Sequence, residues 1–238
     1  MESNWRALLE DDKNFDQNVP YELESIVEKM KLAQKDLEHF NPYFVLSPVY
    51  DFTKFFNKIS SALSMGFKDI TEKVEQMRQL FKKYPDINDI QSLIEKEMSL
   101  NIHTLTGDNN SKLGHKKDEY SKYVSGARTF LRLLWFMEFL IHIFKKLLVD
   151  DKSSLKEILK SSYNEVLAPR HSGIVRTAVG MALTFSGGKK SEAMKTIFGY
   201  DTLTPEAKEK ITYVTDLLYK IWKAGYDYYE KKGLLKLE

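Results

Sequence analysis

The chain contains no cysteine and little glycine or proline. Its 238 residues include only 11 glycines and 6 prolines. Without cysteine there is no disulfide, no thiolate metal site and no thiol nucleophile. The scarcity of the two turn-forming residues argues against a fold with many β-turns and favours helices. Because 42% of the residues are hydrophobic, the sequence also excludes an intrinsically disordered chain.

A strong excess of either charge is missing as well. The chain has 36 lysines and arginines against 34 aspartates and glutamates, which gives a formal net charge of +2. Domains that bind nucleic acids usually carry a pronounced basic excess, so we expect no nucleic-acid partner. The near-balance still allows a small cationic site.

Long hydrophobic runs are absent too. The most apolar window, residues 132–149, is interrupted at five positions by Arg132, Glu138, His142, Lys145 and Lys146. A helix that crosses a bilayer needs about 20 mostly apolar residues, so we expect a helix buried within the protein instead. The first residues show no cationic start followed by an apolar stretch, which predicts a cytoplasmic protein without a signal peptide.

Hydrophobic residues recur at helical spacing along most of the chain, and no segment alternates convincingly with a period of two. The predicted helices cover residues 21–40, 50–65, 67–80, 87–98, 120–148, 171–185 and 204–231, with a further helix starting at a capping box at residues 154–157. We expect Asn41 to end the first helix, Gly66 to mark a break and Asp86 to cap a helix. The sequence therefore predicts an all-α fold of about eight or nine helices. It also predicts one domain over residues 1–238, with residues 1–20 as an N-terminal extension and 104–118 as an exposed loop.

Catalytic and cofactor motifs are also missing. The sequence has no His-Glu-x-x-His zinc motif, no Gly-x-Gly-x-x-Gly motif, no phosphate-binding loop and no Gly-x-Ser-x-Gly elbow. We therefore predict that the chain is not an enzyme and has no catalytic residue, no metal and no cofactor. The enzymatic alternative, a hydrolase that uses Asp69 and His171, has no nucleophile or metal motif to support it.

Three groups of polar residues are candidates for a binding site. Arg128 and Arg132 are four residues apart on the long predicted helix, so their guanidinium groups point to the same side. They form either salt bridges to another helix or a clamp for an anion such as phosphate. Asp69 and Lys73 have the same spacing, which an ordinary surface ion pair also explains. His171 begins a helix, where it suits either a structural or a binding role.

Four segments together resemble the glycolipid transfer protein superfamily. They are FKDITEK (67–73), ARTFLRLLWFMEFL (127–140), SYNEVLAPRHSGIVRTAV (162–179) and DYYEKKGLLKLE (227–238). Their order and spacing also match, over roughly residues 20–238. The resemblance implies an all-helical two-layer sandwich that moves sphingolipids between membranes without chemical change. The arginine pair resembles the ceramide-1-phosphate branch, since the glycolipid branch has a tryptophan where this chain has Arg132.

The resemblance also implies a role for each polar residue. Asp69 would accept hydrogen bonds from the amide N–H and hydroxyl of a sphingolipid, and His171 would donate to its acyl carbonyl. The cations Lys73, Arg128 and Arg132 would hold the phosphate. The chemistry agrees, because an amide presents one donor and one acceptor. A phosphate with a charge of about −1.5 to −2 is also well matched by three cations.

The two lipid chains require an apolar sleeve. At about 0.8 kcal/mol per methylene, exposing about 30 chain carbons to water costs on the order of 20 kcal/mol. The candidate lining residues are Phe52, Phe56, Leu63, Phe136, Phe139, Leu140, Ile143, Val175, Val179 and Leu183. Each of them is equally compatible with an ordinary hydrophobic core.

Two features depart from the family pattern. Gly173 stands where the family usually has a tryptophan near the region that contacts membranes. The phosphate branch also has a further cation before the arginine pair, for which Lys112, Lys116 and Lys117 are candidates. We expect a monomeric carrier that moves a sphingolipid, namely ceramide-1-phosphate, between membranes and touches membrane surfaces transiently and reversibly. The alternatives are a glycolipid carrier and a lipid-sensing helical adaptor that binds a protein partner.

Overall fold

The computed structural model describes residues 4–20, 22–59, 61–108, 120–149, 153–184 and 188–237, and these residues form ten α-helices. The helices are α1 (Trp5–Glu10), α2 (Leu23–Ala33), α3 (Pro42–Ile59), α4 (Ser61–Lys83), α5 (Ile90–Ser99), α6 (Gly126–Val149), α7 (Leu155–Val166), α8 (Gly173–Thr184), α9 (Lys190–Phe198) and α10 (Pro205–Lys232). Short 3-10 turns lie at Asp12–Phe15 and Ala168–Arg170. The described residues contain no β-strand, only an isolated bridge between Thr106 and Val124.

The all-α prediction is confirmed, but the predicted number of helices is too low. The two helices that the sequence analysis missed are α1 and α9. Both are short, with six and nine residues respectively. A helix of so few turns shows too few repeats for a periodic pattern to emerge.

Helix α6 lies at the centre of the fold. It packs against α10, α4, α7 and α5, while α4 also packs against α3 and α8. Neighbours on several sides explain why the sequence of α6 is so apolar, since a helix covered all round buries almost every face. The same packing leaves α4, α6, α7 and α8 grouped around one region of the interior.

Several helix ends follow directly from the local sequence. The predicted capping box is present, because the side chains of Ser154 and Glu157 each accept a hydrogen bond from the other's backbone N–H. Thr204 caps α10 by accepting from the backbone N–H of Ala207. Gly233 ends α10 at a φ of +70°, a left-handed conformation that glycine adopts without strain.

Other predicted ends are wrong. Helix α2 stops at Ala33, and Asn41 begins α3 instead of ending α2, since its side chain accepts from the backbone N–H of Tyr43 at 3.1 Å. Asp89, not Asp86, caps α5. Short polar residues stabilise a helix start as readily as a turn, so the sequence alone did not separate these choices. The backbone of α4 also runs through position 66 without the predicted break.

A buried carboxylate sets the start of α6, which begins at Gly126 and not near residue 120. Glu97 on α5 accepts hydrogen bonds from the backbone N–H groups of Gly126 at 2.6 Å and Ala127 at 2.9 Å. It also accepts from the hydroxyls of Tyr123 and Ser125. A carboxylate is favourable at a helix N-terminus because it faces the positive end of the helix dipole. The contact fixes where the helix with the arginine pair begins.

The N-terminal segment is fastened to α4 through Arg78, whose side chain is 3% exposed. This guanidinium donates to the carbonyl oxygen of Leu9 at 2.7 Å and pairs with Asp12 at 2.8 Å. It also lies 4.2 Å from the ring centre of Phe15. The single-domain organisation over residues 1–238, with residues 1–20 as an extension, stays a prediction.

Candidate functional site

A small cavity lies between α4, α6, α7 and α8. Its volume is about 100 Å³, which is room for only a few water-sized groups. Three of the five polar residues singled out from the sequence line it, namely Asp69, Arg132 and His171. The other lining residues are Phe67, Ile70, Trp135, Phe136, Phe139, Tyr163, Leu167, Val179, Ala182 and Leu183. The cavity therefore combines a few polar groups with a largely apolar wall.

Asp69 and Lys73 lie one turn apart on α4 and form an ion pair of 2.5 Å between Oδ1 and Nζ. The aspartate side chain is 63% exposed and the lysine side chain 19% exposed. Lys73 is not part of the cavity wall, but its charge reaches His171. Burial chiefly lowers the pKa of that imidazole, the Asp69 charge opposes this shift, and the Lys73 charge adds to it. Asp69 and Lys73 thus form a surface ion pair and also lie at the edge of the cavity, so the two interpretations of this pair are compatible.

Arg132 on α6 is partly buried, and it bonds to backbone oxygens. Its Nη1 donates to the carbonyl oxygens of Arg128 at 3.1 Å and Leu237 at 3.0 Å. Within the described residues it forms no ion pair with a carboxylate. Burial, together with the neighbouring Arg128 charge, lowers the pKa of Arg132 to about 10, so the guanidinium is still protonated at neutral pH. Arg132 therefore places a positive charge in the cavity wall without a direct carboxylate partner among the described residues, and the Asp69 carboxylate of the same wall acts on it only from a longer distance.

Arg128 lies one turn before Arg132 on α6 and is also partly buried. Arg128 does not line the cavity. Its charge adds to the effect of burial in lowering the pKa of Arg132, which does line it. The structure thus gathers three cations on α4 and α6, of which Arg132 alone lines the cavity.

Trp135 holds the Arg132 guanidinium from one side. The ring centre of Trp135 lies 4.9 Å from Arg132 and 5.3 Å from Arg170. Arg170 in turn pairs with Glu138 at 2.7 Å. Guanidinium groups are attracted to the face of an indole. The sequence analysis gave Trp135 no role, although its position three residues after Arg132 on one helix face was a usable signal.

His171 follows the 3-10 turn at Ala168–Arg170 and faces α7. Its Nδ1 lies 3.1 Å from the hydroxyl oxygen of Tyr163, a residue that the sequence analysis also missed. Burial lowers the pKa of His171, so the imidazole is neutral at pH 7. Within the described residues its Nε2 has no hydrogen-bond partner, which leaves that nitrogen open to a ligand.

The predicted chain-lining residues fall into three groups. The cavity wall contains Phe136, Phe139, Val179 and Leu183. The surrounding core contains Phe52, Phe56, Leu140 and Ile143. Val175 is 41% exposed on α8 and outside the wall, and the side chain of Leu63 lies outside the described residues. A role in holding lipid chains stays a prediction for all of them.

Four phenylalanines close the apolar part of this region by packing on one another. The rings of Phe56 and Phe67 stack with centres 4.1 Å apart. Phe136 lies 5.6 Å from Phe67, and Phe139 lies 6.4 Å from both Phe56 and Phe67. Stacked and tilted ring pairs of this kind stabilise a core beyond simple burial. The apolar space is therefore filled by the protein's own side chains.

Two further features concern only the described part of the chain. It contains no helix long and apolar enough to cross a membrane. It also contains no group of three acidic or histidine side chains arranged to hold a metal ion. The loop lysines Lys112, Lys116 and Lys117 lie outside the described residues.

The family of the protein follows from a comparison with known families. The family model Glycolipid transfer protein (GLTP) matches residues 45–197, a range that contains the cavity and all five polar candidates. The chain belongs to the glycolipid transfer protein family, whose members transfer lipids and are not enzymes. The resemblance drawn from the four sequence segments is confirmed.

Several relatives of this chain are ceramide-1-phosphate transfer proteins. The ceramide-1-phosphate transfer protein of Danio rerio is 21% identical over 226 residues, covering 91% of this chain and 98% of that protein. The crystal structure of the human ceramide-1-phosphate transfer protein in complex with 2:0 ceramide-1-phosphate superposes with a TM-score of 0.75 at 18% identity, covering 92% of this chain and all of that one. The apo form of the mouse protein gives 0.74 at 20% identity, covering 91% and 99%. The predicted all-helical sandwich is confirmed.

Proposed function

We propose that this protein carries ceramide-1-phosphate between membranes without changing it chemically. The observation that carries the proposal is the composition of one cavity. A carboxylate, a neutral imidazole and an arginine with no described carboxylate partner share a wall with a cluster of phenylalanines. A wall with a few polar groups on one part and phenylalanine rings on the other matches an amphiphile that has an amide, an anionic headgroup and long apolar chains. The similarity to ceramide-1-phosphate transfer proteins supports the same ligand.

The amide of the lipid is recognised by Asp69 and His171. Both residues line the cavity, and they offer opposite halves of a hydrogen-bonding pair. The Asp69 carboxylate accepts from the amide N–H, and the imidazole donates to the acyl carbonyl oxygen. If an amide were buried without both hydrogen bonds, the unfavourable free energy of burying it would exceed the favourable contribution of its contacts with the apolar wall.

The phosphate is held by Lys73, Arg128 and Arg132. The Nη2 and Nε groups of Arg132 have no partner within the described residues, so they are available as a fork for two phosphate oxygens. Lys73 is paired with Asp69 in the structure. Ligand binding replaces this ion pair with two contacts to the lipid. The Asp69 carboxylate then accepts from the amide, and the Lys73 ammonium contacts the phosphate. Crowding of like charges around Arg132 is relieved when a dianion enters.

The chains enter where the phenylalanine cluster now packs. The existing cavity of about 100 Å³ holds only a small part of a ceramide. Lipid binding therefore separates rings such as Phe56 and Phe67 and replaces their mutual contacts with contacts to methylenes. Transfer from bilayer to protein is then nearly neutral for the chains, and the headgroup contacts determine which lipid is carried.

Contact with the membrane is made by the exposed apolar side of α8. Ile174 is 86% exposed, Met181 56% and Val175 41%. Other residues of the same helix, Val179 and Leu183, line the cavity. An apolar helix face that inserts shallowly into the bilayer surface gives reversible peripheral binding. A lipid then has a short path from the bilayer into the cavity beside the same helix.

A vesicle-to-vesicle transfer assay tests the proposed cargo. Donor vesicles contain labelled ceramide-1-phosphate, glucosylceramide, sphingomyelin or phosphatidic acid. We expect ceramide-1-phosphate to move on the order of ten-fold faster than the others, since it alone combines an amide with a phosphate monoester that bears no further group. Faster movement of glucosylceramide would favour the glycolipid carrier. Absence of any transfer would favour the adaptor, and recovery of altered lipid would favour an enzyme.

The docking face is tested by the substitution Ile174→Glu. We expect a several-fold slower transfer and weaker vesicle binding, because a carboxylate is expelled from the membrane interface and repelled by anionic lipid. The matched control is Val149→Glu, which places the same charge at a valine that is 81% exposed at the end of α6. Equal effects of both substitutions on transfer would contradict docking through α8.

A further inference from the structure

One hydrogen bond in the cavity wall has a direction that matters for ligand binding. Tyr163 on α7 is 4% exposed, and its hydroxyl oxygen lies 3.1 Å from Nδ1 of His171. The two rings are tilted at 47° with their centres 5.7 Å apart. Both side chains line the cavity, so the bond belongs to the wall that a ligand would touch.

The surroundings of this bond favour the phenol as its donor. Within the described residues, the Tyr163 hydroxyl and Nδ1 of His171 are each other's sole hydrogen-bond partners. If Nδ1 carried the proton, the phenolic hydrogen would be buried without an acceptor, which is unfavourable. Burial also raises the pKa of Tyr163 and lowers the pKa of His171. The phenol therefore keeps its proton, and the imidazole is neutral.

A neutral imidazole has one donor nitrogen and one acceptor nitrogen, and the environment decides which is which. When Nδ1 accepts from Tyr163, the proton resides on Nε2. That nitrogen has no partner within the described residues and is free to donate. With the other tautomer, Nε2 would present a lone pair to the lone pairs of a carbonyl oxygen, and the two would repel.

We propose that Tyr163 is a positioning residue that fixes His171 as the Nε2–H tautomer and thereby makes the cavity wall selective for a carbonyl oxygen at that point. The inference rests on the proposed function, because it assigns the carbonyl to the amide of the carried lipid. Together with the acceptor Asp69, the fixed donor gives a pair that is complementary to a secondary amide in one orientation. Tyr163 acts through His171 and makes no bond to the ligand itself.

The tautomer is measured directly by nitrogen NMR of protein with ¹⁵N-labelled histidine at pH 7.5, without lipid, with the His171→Gln variant to assign the signals. We expect His171 to be protonated on Nε2 and its Nδ1 signal to show a hydrogen-bonded acceptor. In Tyr163→Phe the Nδ1 signal should shift toward that of a free acceptor, or the other tautomer should appear. A wild-type signal protonated on Nδ1, or an Nδ1 signal that Tyr163→Phe leaves in place, would overturn the inference.

Transfer measurements separate positioning from a merely structural role. Tyr163→Phe should slow ceramide-1-phosphate transfer about three- to ten-fold in the wild-type background. In a His171→Gln background the same substitution should have less than about a two-fold effect, since the group through which Tyr163 acts is gone. Equal losses in both backgrounds would contradict positioning. The control is Tyr43→Phe, a buried tyrosine of α3 that packs against Phe15 outside the cavity, and its transfer should match wild type.

The two proposals fail in different ways. If the wild-type protein transfers no lipid, the proposed function is wrong, yet the NMR result still decides the state of His171. If lipid is transferred but the tautomer is not controlled by Tyr163, the function stands and the positioning role is removed.

Discussion

Two arginines of this protein are withdrawn from solvent, and they differ in what balances their charge. Arg78 is 3% exposed and bonds to the carboxylates of Glu75 and Asp12 as well as to backbone oxygens. Arg132 bonds only to backbone oxygens within the described residues and rests against Trp135. The charge of Arg78 is balanced by carboxylates of the same chain, and its bonds hold the N-terminal segment against α4. Arg132 has no such carboxylate partner among the described residues, so its guanidinium is free to receive a counter-charge from a ligand.

The strongest test of this contrast is Arg78→Met. The methionine keeps much of the apolar stem but loses the bonds to Leu9, Asp12 and Glu75. We expect the free energy of unfolding to fall by about 2–4 kcal/mol, as measured by urea unfolding. Lys82→Met, an exposed lysine on the same helix, is the control and should change stability little. Stability equal to wild type in Arg78→Met would show that its bonds do not fasten the N-terminal segment.

Arg132→Gln should give the opposite pattern. Transfer of ceramide-1-phosphate should fall about 30-fold, which corresponds to about 2 kcal/mol for lost charge-assisted bonds. Stability should stay the same or rise, because burial already disfavours the Arg132 charge, as its lowered pKa shows. The measurement is transfer rate beside urea unfolding of the same sample. A large loss of stability with unchanged transfer would place Arg132 in the same class as Arg78.

The smallest effect concerns His171, whose partly buried imidazole is neutral at pH 7. Its folded-state pKa is lowered from the usual 6.5, chiefly by burial. As pH falls below 6.5, the unfolded chain takes up a proton that the folded protein resists, so acid favours unfolding. The stability of wild type minus that of His171→Asn should therefore decrease as pH falls from 7.5 to 5. A difference that is flat or increases over this range would mean that the imidazole is not buried as described.

The parts of the fold that were predictable are those determined by neighbours in sequence. The starts of α7 and α10 are each specified within four residues, by Ser154 with Glu157 in the first case and by Thr204 before Pro205 in the second. The start of α6 was not predictable in this way, because it depends on Glu97, which lies 29 residues before Gly126. Local signals cannot report a partner that only tertiary packing brings near.

The candidate site shows the same division. Spacing along single helices singled out Asp69 with Lys73 and Arg128 with Arg132, and the structure places one member of each pair, Asp69 and Arg132, in the wall of one cavity. The contact between Arg132 and the carbonyl of Leu237 joins residues 105 positions apart, so no spacing rule could find it. Tyr163 was missed for a related reason, since only the 3-10 turn after α7 folds His171 back onto it.

The phenylalanine cluster has a consequence for unloading. Phe56, Phe67, Phe136 and Phe139 pack on one another, so their rings fill the space that the lipid chains of the proposed carrier would occupy. If the lipid chains enter there as proposed, loading disrupts these ring contacts, and their free energy is subtracted from the binding free energy of the lipid. When the lipid leaves, the rings close again and that free energy is recovered. In the proposed carrier, reclosure of the cluster would therefore favour release of the lipid to an acceptor bilayer.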